Sequence, residues 1–318
     1  MSAVRSRTLL NLALIVVAAA LGLLVYLRPG HQPPPPKPLL TTLPVKDVTR
    51  IRIARPGHET IELQRRHETW RITAPIRARA DVMRVEGIED AASERSLARY
   101  PVARLDLREV GLAPPKVRLR LNGRELDFGG TDPINQWRYV KVGDTVHLTS
   151  DTIYPFLTMP PTAFVNLALL PPGAQITSLA LPKLTLRRGA KERWSITPPH
   201  PGIDRARIRS LLQRWRDARA LFVQRDHGGA SKGRVTIRLE GRKSPLRFVI
   251  RRMHPGLVLA RPDAGLSYHL GSSGSQGLLA LPPSKTPAAT PPKPSTQSPL
   301  NPRDRAAGRT PAAAKPAP

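Results

Sequence analysis

The chain has 318 residues, a net charge of +28, no cysteine, 36 prolines and fourteen aromatic residues. The missing cysteines exclude disulfides, thiolate metal sites and a lipid-modified N-terminal cysteine as a membrane anchor. Apolar content comes mainly from Leu, Val, Ile and Ala, so aliphatic cores in two modest units are expected from this length.

Residues 1–7, with Arg5 and Arg7, are expected to form a cytoplasmic N-terminus. From Thr8 to Leu27 runs TLLNLALIVVAAALGLLVYL, twenty residues without a charge. A helix rising about 1.5 Å per residue would carry them across roughly 30 Å, the hydrocarbon thickness of a bilayer. A single transmembrane helix over 8–27 is therefore expected. It would sit in the cytoplasmic membrane, with the body outside the cytoplasm. Arg28 and Lys37 follow it, so the charge bias behind that orientation is small. The alternative is a cleaved signal peptide with Ala18–Ala20 at the cleavage site, which would leave LGLLVYL at the new terminus. Residues 28–46 are expected to be a Pro-rich linker, whose RPGHQPPPPKP stretch from Arg28 to Pro38 favours an extended polyproline II spacer.

The body is expected to be α+β, made of two tandem diverged repeats over 47–172 and 173–280. Val48-Thr-Arg-Ile-Arg-Ile, Thr60-Ile-Glu-Leu and Thr69-Trp-Arg-Ile-Thr-Ala-Pro match Ile176-Thr-Ser-Leu-Ala-Leu, Leu184-Thr-Leu and Arg193-Trp-Ser-Ile-Thr-Pro-Pro. An aspartate then opens a helical pattern in each copy, Asp81 and Asp204, suited to capping free backbone amides. Ile208, Leu211, Leu212 and Trp215 lie at helical spacing; Val82, Val85, Ile88 and Ala92 form a weaker counterpart. Alternating strands follow from Val117 and from Val235. The first hairpin carries the strong turn signal Asn122-Gly123, matched by Glu240-Gly241. Each copy closes with two more strands, Trp137–Val142 with Val146–Leu148, and Leu257–Ala260 with Tyr268–Leu270. The expected unit is ββ(β)-α-ββββ, an antiparallel sheet with one helix on its apolar face.

Residues 281–318 hold eleven prolines among Ala, Ser, Thr and Lys. That composition cannot bury enough apolar surface to order itself, and a disordered tail is expected.

Leu105-Asp-Leu-Arg-Glu-Val-Gly-Leu-Ala-Pro-Pro, followed by Val117-Arg-Leu-Arg-Leu and preceded by Trp70-Arg-Ile-Thr-Ala-Pro and Ala80-Asp81, resembles the DUF4340 domain family. The resemblance covers roughly residues 48 to 270. It implies a bacterial, N-terminally anchored protein of the kind likened to auxiliary components of gliding-motility-type ABC transporter systems. It implies no catalytic residues. The second copy departs from the motif, with Asp226-His-Gly-Gly-Ala-Ser-Lys-Gly where Gly111-Leu-Ala-Pro-Pro would recur.

Motifs that carry chemistry fail on their spacing. His67-Glu68 begins like a zinc-protease helix, but Arg71 stands where the second histidine must be, and the segment has strand character. The other histidines, His31, His58, His147, His200, His227, His254 and His269, show no ligand spacing. Gly228–Gly233 has Lys232 before Gly233 rather than a Gly-Lys-Ser/Thr ending, and is expected to be a loop between helix and strand. Gly271-Ser-Ser-Gly-Ser lacks the spacing of a nucleophile elbow. Trp70 and Trp194 are expected in the core. No catalytic, cofactor-binding or metal residue is assigned, and no cofactor is expected.

Residues 1–38 carry +4 and residues 281–318 carry +5, leaving +19 on the central body. Arg50, Arg52, Arg118, Arg120, Arg247, Arg251 and Arg252 lie on strands. Arg205, Arg207, Arg209, Arg214, Arg216 and Arg219 follow the second helix. They form either a solvated face or a surface for anionic lipid or envelope polymer. Nucleic acid ranks last as a partner, since it would need a cytoplasmic body and more aromatics among the basic stretches. The expected function is a non-enzymatic accessory subunit of an ABC-transporter-like membrane complex, with a binding module for anionic envelope material as the alternative.

Overall fold

Alternating apolar and polar residues build two antiparallel sheets. The computed structural model describes residues 2–27, 37–199, 204–275 and 277–281, with the backbone alone for residues 2–8, 10, 27 and 192. His31, His200, most of the proline-rich spacer and the tail from residue 282 lie outside the described residues.

The first helix, α1 (Ser2–Leu27), covers the whole apolar segment, and its described side chains are exposed. Among the described residues, no helix is long and apolar enough to cross a membrane. Side chains of α1 are described without a break only over 11–26, short of the roughly 20 residues a bilayer needs. The span expected over 8–27 is thus met by a helix and not by a described span.

Residues 38–46, expected in the linker, are tied to the body. Leu40 N donates to Glu94 O at 2.8 Å, Ser96 N to Pro38 O at 2.8 Å and Thr41 Oγ1 to Ala92 O at 3.0 Å. Leu40 and Thr41 are buried.

The first sheet is built from β1 (Arg50–Ala54), β2 (Ile61–Arg66), β3 (Thr69–Ala74), β4 (Ala78–Arg79), β5 (Ala98–Pro101), β6 (Val117–Leu121), β7 (Arg124–Thr131), β8 (Arg138–Val142) and β9 (Thr145–Thr149). Helix α2 (Val82–Glu89) lies between β4 and β5 in sequence, and a single turn, α3 (Tyr154–Leu157), follows β9. The second sheet is built from β10 (Ile176–Ala180), β11 (Thr185–Arg188), β12 (Trp194–Thr197), β13 (Phe222–Arg225), β14 (Arg234–Leu239), β15 (Leu246–Arg252), β16 (Leu257–Arg261) and β17 (Leu266–Leu270), with helix α4 (Arg205–Asp217) between β12 and β13. The spatial orders are β4-β3-β2-β1-β6-β7-β8-β9-β5 and β12-β11-β10-β14-β15-β16-β17-β13. Apart from β4, the two orders coincide strand for strand.

The expected pattern lacked two strands of the first sheet, the two-residue β4 and β5, and one of the second, β13. After each helix a short strand, β5 or β13, crosses to the far edge and pairs with the last strand of its sheet. Both are four residues long, and β5 ends in proline. The local alternation that marks the other strands is absent there.

Ile51, Ile53, Val117, Leu119 and Leu121 point into the core from the first sheet, and Val235, Ile237, Phe248 and Ile250 from the second. They belong to one continuous apolar cluster, and both sheets lie within a single compact unit. Strand β16 buries residues on both of its faces, Leu257 to Ala260, so alternation is lost where both sides are covered.

The helices follow the expected capping. Arg84 N donates to Asp81 Oδ1 at 3.3 Å and Arg207 N to Asp204 Oδ1 at 2.8 Å. In α4, Ile208, Leu211, Leu212 and Trp215 are all buried. In α2, Val85 and Ile88 are buried but Val82 is 45 % exposed, because it stands in the first turn away from the sheet.

The loop Leu105–Pro115 packs on β7. Gly130 N donates to Val110 O at 2.8 Å, and Leu112 N to Leu107 O at 2.7 Å. A Cβ on Gly129 would stand 2.4 Å from Val110 O, so glycine is what lets this loop lie against the strand.

Candidate functional site

Helix α4 does not seal the side of the second sheet. Between it and the strands β10, β11 and β12 lies a cleft of about 700 Å³, within the size range of small-molecule sites. Arg205, Arg209 and Arg216 line it from the helix. Offsets of four and eleven residues put all three on one helical face, in a row about 16 Å long. Arg188 and Arg193 line it from the sheet, with Trp194 beside them. Trp194 is half-buried, not a core residue as expected; it packs against the edge of the core and leaves part of its ring in the cleft.

Arg188 Nη2 lies 2.6 Å from Glu240 Oε2, a carboxylate 60 % exposed. Arg193, Arg205 and Arg209 make no side-chain hydrogen bond or ion pair with a described residue. None of the described residues lining the cleft is acidic.

The corresponding place in the first sheet is closed. Arg65 pairs across the strands with Trp70, as Arg188 pairs with Trp194. The Arg65 guanidinium lies 5.7 Å from the Trp70 ring centre, and Arg65 Nη1 lies 3.9 Å from Glu89 Oε1. Trp70 and Glu89 are both buried. Burial pushes the Glu89 carboxyl up, against the downward pull of Arg65.

The two helices differ at matched distances from their N-caps. Eight residues on, α2 has Glu89 and α4 has Leu212; five residues on, α2 has Glu86 and α4 has Arg209. One helix brings the Glu89 carboxylate to its sheet's arginine, and the other brings more arginine.

The same asymmetry holds at larger scale. Residues 39–172 hold 20 Lys/Arg against 16 Asp/Glu, a net of +4, whereas residues 173–280 hold 21 against 6, a net of +15. In the first sheet, the outward arginines meet acids across the ladder. Arg52 lies 3.2 Å from Glu62, Arg118 2.7 Å from Asp127 and Arg120 2.6 Å from Glu125. The expected basic face is therefore largely neutralised on the first sheet, and the excess charge sits with α4 and the second sheet.

Residues 70–228, half of the chain, match the family model described as Domain of unknown function (DUF4340). The chain belongs to the DUF4340 family. The matched span starts at Trp70 in β3 and ends in the loop after β13, so it takes in α2, α4 and the connection between the sheets. No curated protein and no solved structure matches the chain.

In this DUF4340 chain, the other residues singled out by sequence have structural places. His67 and Glu68 form the β2–β3 turn, with His67 at φ +52°, and not two strand positions as expected. The Gly228–Gly233 loop joins β13 to β14, so it connects two strands and not helix to strand; Arg251 ties it down through Asp226 at 2.8 Å and through Gly229 O. Ser272–Ser275 is a single helical turn after β17. Trp215 is the large core residue of α4, its Nε1 donating to Leu278 O at 2.9 Å. Among the described residues, no three His, Asp or Glu side chains gather as a metal site.

Sequence reasoning treated the α4 arginines as one face among several and missed the cleft. The available signal was Arg205, Arg209 and Arg216 on one face, without the interleaved acids that a solvated helix normally carries.

Proposed function

We propose that this DUF4340 protein is a non-enzymatic, membrane-anchored module that binds anionic envelope polymer through the α4 cleft. The observation that carries this is the replacement of Glu86 and Glu89 by Arg209 and Leu212 at matched helical positions. That change leaves a row of guanidinium groups beside an open Trp194 ring. Guanidinium forks match carboxylate and phosphate oxygens bidentately. A row about 16 Å long suits charges repeated along a chain better than a single ion.

Residues 8–27 serve as the anchor, in a bacterial cytoplasmic membrane, with the body on the outer side. Support comes from twenty uncharged residues within one helix, whose described side chains, Leu9 and Leu24 among them, pack on nothing. An active extracytoplasmic reporter fused after Pro318 is the expected result; an active cytoplasmic one refutes the orientation. The two sheets derive from one duplicated unit. The coincident strand orders and the matched caps Asp81 and Asp204 support this.

The test uses the full chain in nanodiscs of neutral phosphatidylcholine and fluorescent polyglutamate as the probe. Binding that falls steeply with salt, and that Arg209→Glu weakens at least about tenfold, supports the reading. Salt-insensitive binding, or no loss in the variant, refutes it.

A second reading is an accessory subunit of an ABC-transporter-like complex. It is favoured by the outer edge of the second sheet, where Leu221 and Phe222, at the start of β13, are 69 % and 47 % exposed. Such an edge suits a partner strand. A photocrosslinker at Leu221 should capture a membrane partner, and recovery of the monomer alone counts against this reading.

A further inference from the structure

A second concentration of arginine lies where the two sheets meet, away from the α4 cleft. A cavity of about 110 Å³ is lined there by Arg71 and Arg77 with Arg79 from the first sheet's edge, and by Arg242, Arg261 and Tyr268 from the second sheet's half. The connecting segment around Leu169 and Leu170 forms another wall. At about 30 Å³ of liquid per water, the space equals three to four waters, room for one small polyatomic ion.

Apart from Arg261, the arginines here have no acidic partner among the described residues. No carboxylate is among the described residues lining the cavity. The nearest acid in its network, Asp263, lies 2.6 Å from Arg261 Nη2 and is 58 % exposed, so one rim cation is paired. Arg79 is half-buried, and the only described hydrogen bond of its guanidinium runs 3.4 Å from Nη1 to Leu170 O. Arg71, Arg77 and Arg242 make no side-chain hydrogen bond or ion pair with a described residue. Burial, together with the like charges of Arg71 and Arg219, holds the Arg79 guanidinium below its usual range, opposed only by Tyr268. Tyr268, which also lines the cavity, is 4 % exposed, and its hydroxyl accepts a hydrogen bond from Arg261 while its own proton stays free to donate.

A half-buried cation such as Arg79 without an ionic partner carries a desolvation cost, and several arginines converging on one small volume repel each other. A single anion in that volume offsets both terms, and planar guanidinium forks with a phenol hydroxyl are the donors that a tetrahedral oxyanion accepts from.

We infer that the junction between the two sheets binds a phosphate-class oxyanion, which joins Arg77 and Arg79 of one sheet's edge to Arg242 and Arg261 of the other half. The site is distinct from the α4 cleft and does not depend on the function proposed for it. The oxyanion is either free phosphate or the headgroup of a phosphate monoester lipid, since both present the same terminal oxygens. Binding only to the folded junction raises stability in proportion to occupancy.

The test is thermal unfolding of the full chain in neutral detergent, with inorganic phosphate or dihexanoyl phosphatidic acid added against chloride at matched ionic strength. A saturable rise in Tm with phosphate assigns the free ion, and a rise with the lipid alone assigns the headgroup. In Arg79→Met the rise disappears while the Tm in chloride is no lower than that of the unmodified chain, because a repelling cation has gone. Arg77→Ala/Arg242→Ala, two exposed positions without described partners, keeps the test decisive if Arg79→Met fails to fold; it too loses the rise. Arg209→Ala in the α4 cleft retains it. A Tm shift equal to that with chloride, or one that survives in Arg77→Ala/Arg242→Ala as a general salting effect would, overturns the inference.

Discussion

Glu89 stands 3.9 Å from Arg65 in the first sheet's half of the molecule, while Leu212 holds the same helical position in the second. A buried carboxylate there closes the space beneath Trp70; an aliphatic side chain flanked by Arg209 leaves Trp194 beside an open cleft. A closed half and an open half thus differ at one helical position.

The Glu89 carboxyl is raised by burial. The folded state therefore holds its proton more tightly than the unfolded state, so stability falls as pH rises from the ordinary glutamate range toward the raised value. Glu89→Gln removes this dependence. The difference in Tm between Glu89→Gln and the unmodified chain should shift in the variant's favour between pH 4.5 and pH 7; a constant difference contradicts it.

His147 behaves in the opposite sense. It is buried, its Nδ1 lies 3.0 Å from Ser96 Oγ, and burial, then Arg99, lowers its pKa. The unfolded state binds the proton more readily, so stability present above about pH 6.5 is lost as pH falls through that value toward the folded pKa. In His147→Gln, the loss of Tm between pH 7 and pH 5 should be smaller than in the unmodified chain.

Asp81→Ala and Asp204→Ala each remove an N-cap acceptor and should each cost about 1 kcal/mol in denaturant unfolding. The effects of the two should add, since the caps share no partner.

Gly129→Ala places a Cβ 2.4 Å from Val110 O and 2.9 Å from Leu112 Cγ. Backbone cannot yield as a side-chain tip can, so a loss of about 2 kcal/mol or more is expected. The Gly57→Ala control has open space around it and tests only the cost of a left-handed backbone.

Local signals carried most of the fold. Asn122 and Gly123 both take positive φ at the β6–β7 turn, as their types demand. The same asparagine does something no local pattern shows: its Oδ1 accepts from Thr49 N and Arg50 N at 2.9 Å, and its Nδ2 donates to Asp47 O at 2.6 Å. Strands β5 and β13 escaped notice because each is a short edge strand whose partner lies about 45 residues further on, and edge pairing leaves little alternation. Trp194 looked like Trp70 because their strand contexts match. Its exposure is decided by which residue the helix sets opposite it, a contact between segments far apart in sequence.

The central claim, an anionic ligand held beside Trp194, is tested most directly by acrylamide quenching of tryptophan fluorescence in the full chain, held in neutral nanodiscs. Polyglutamate should protect a quenchable fraction that Trp194→Phe lacks, with Trp70, Trp137 and Trp215 unaffected. Quenching unchanged by the polymer, or protection that persists in Trp194→Phe, would contradict it.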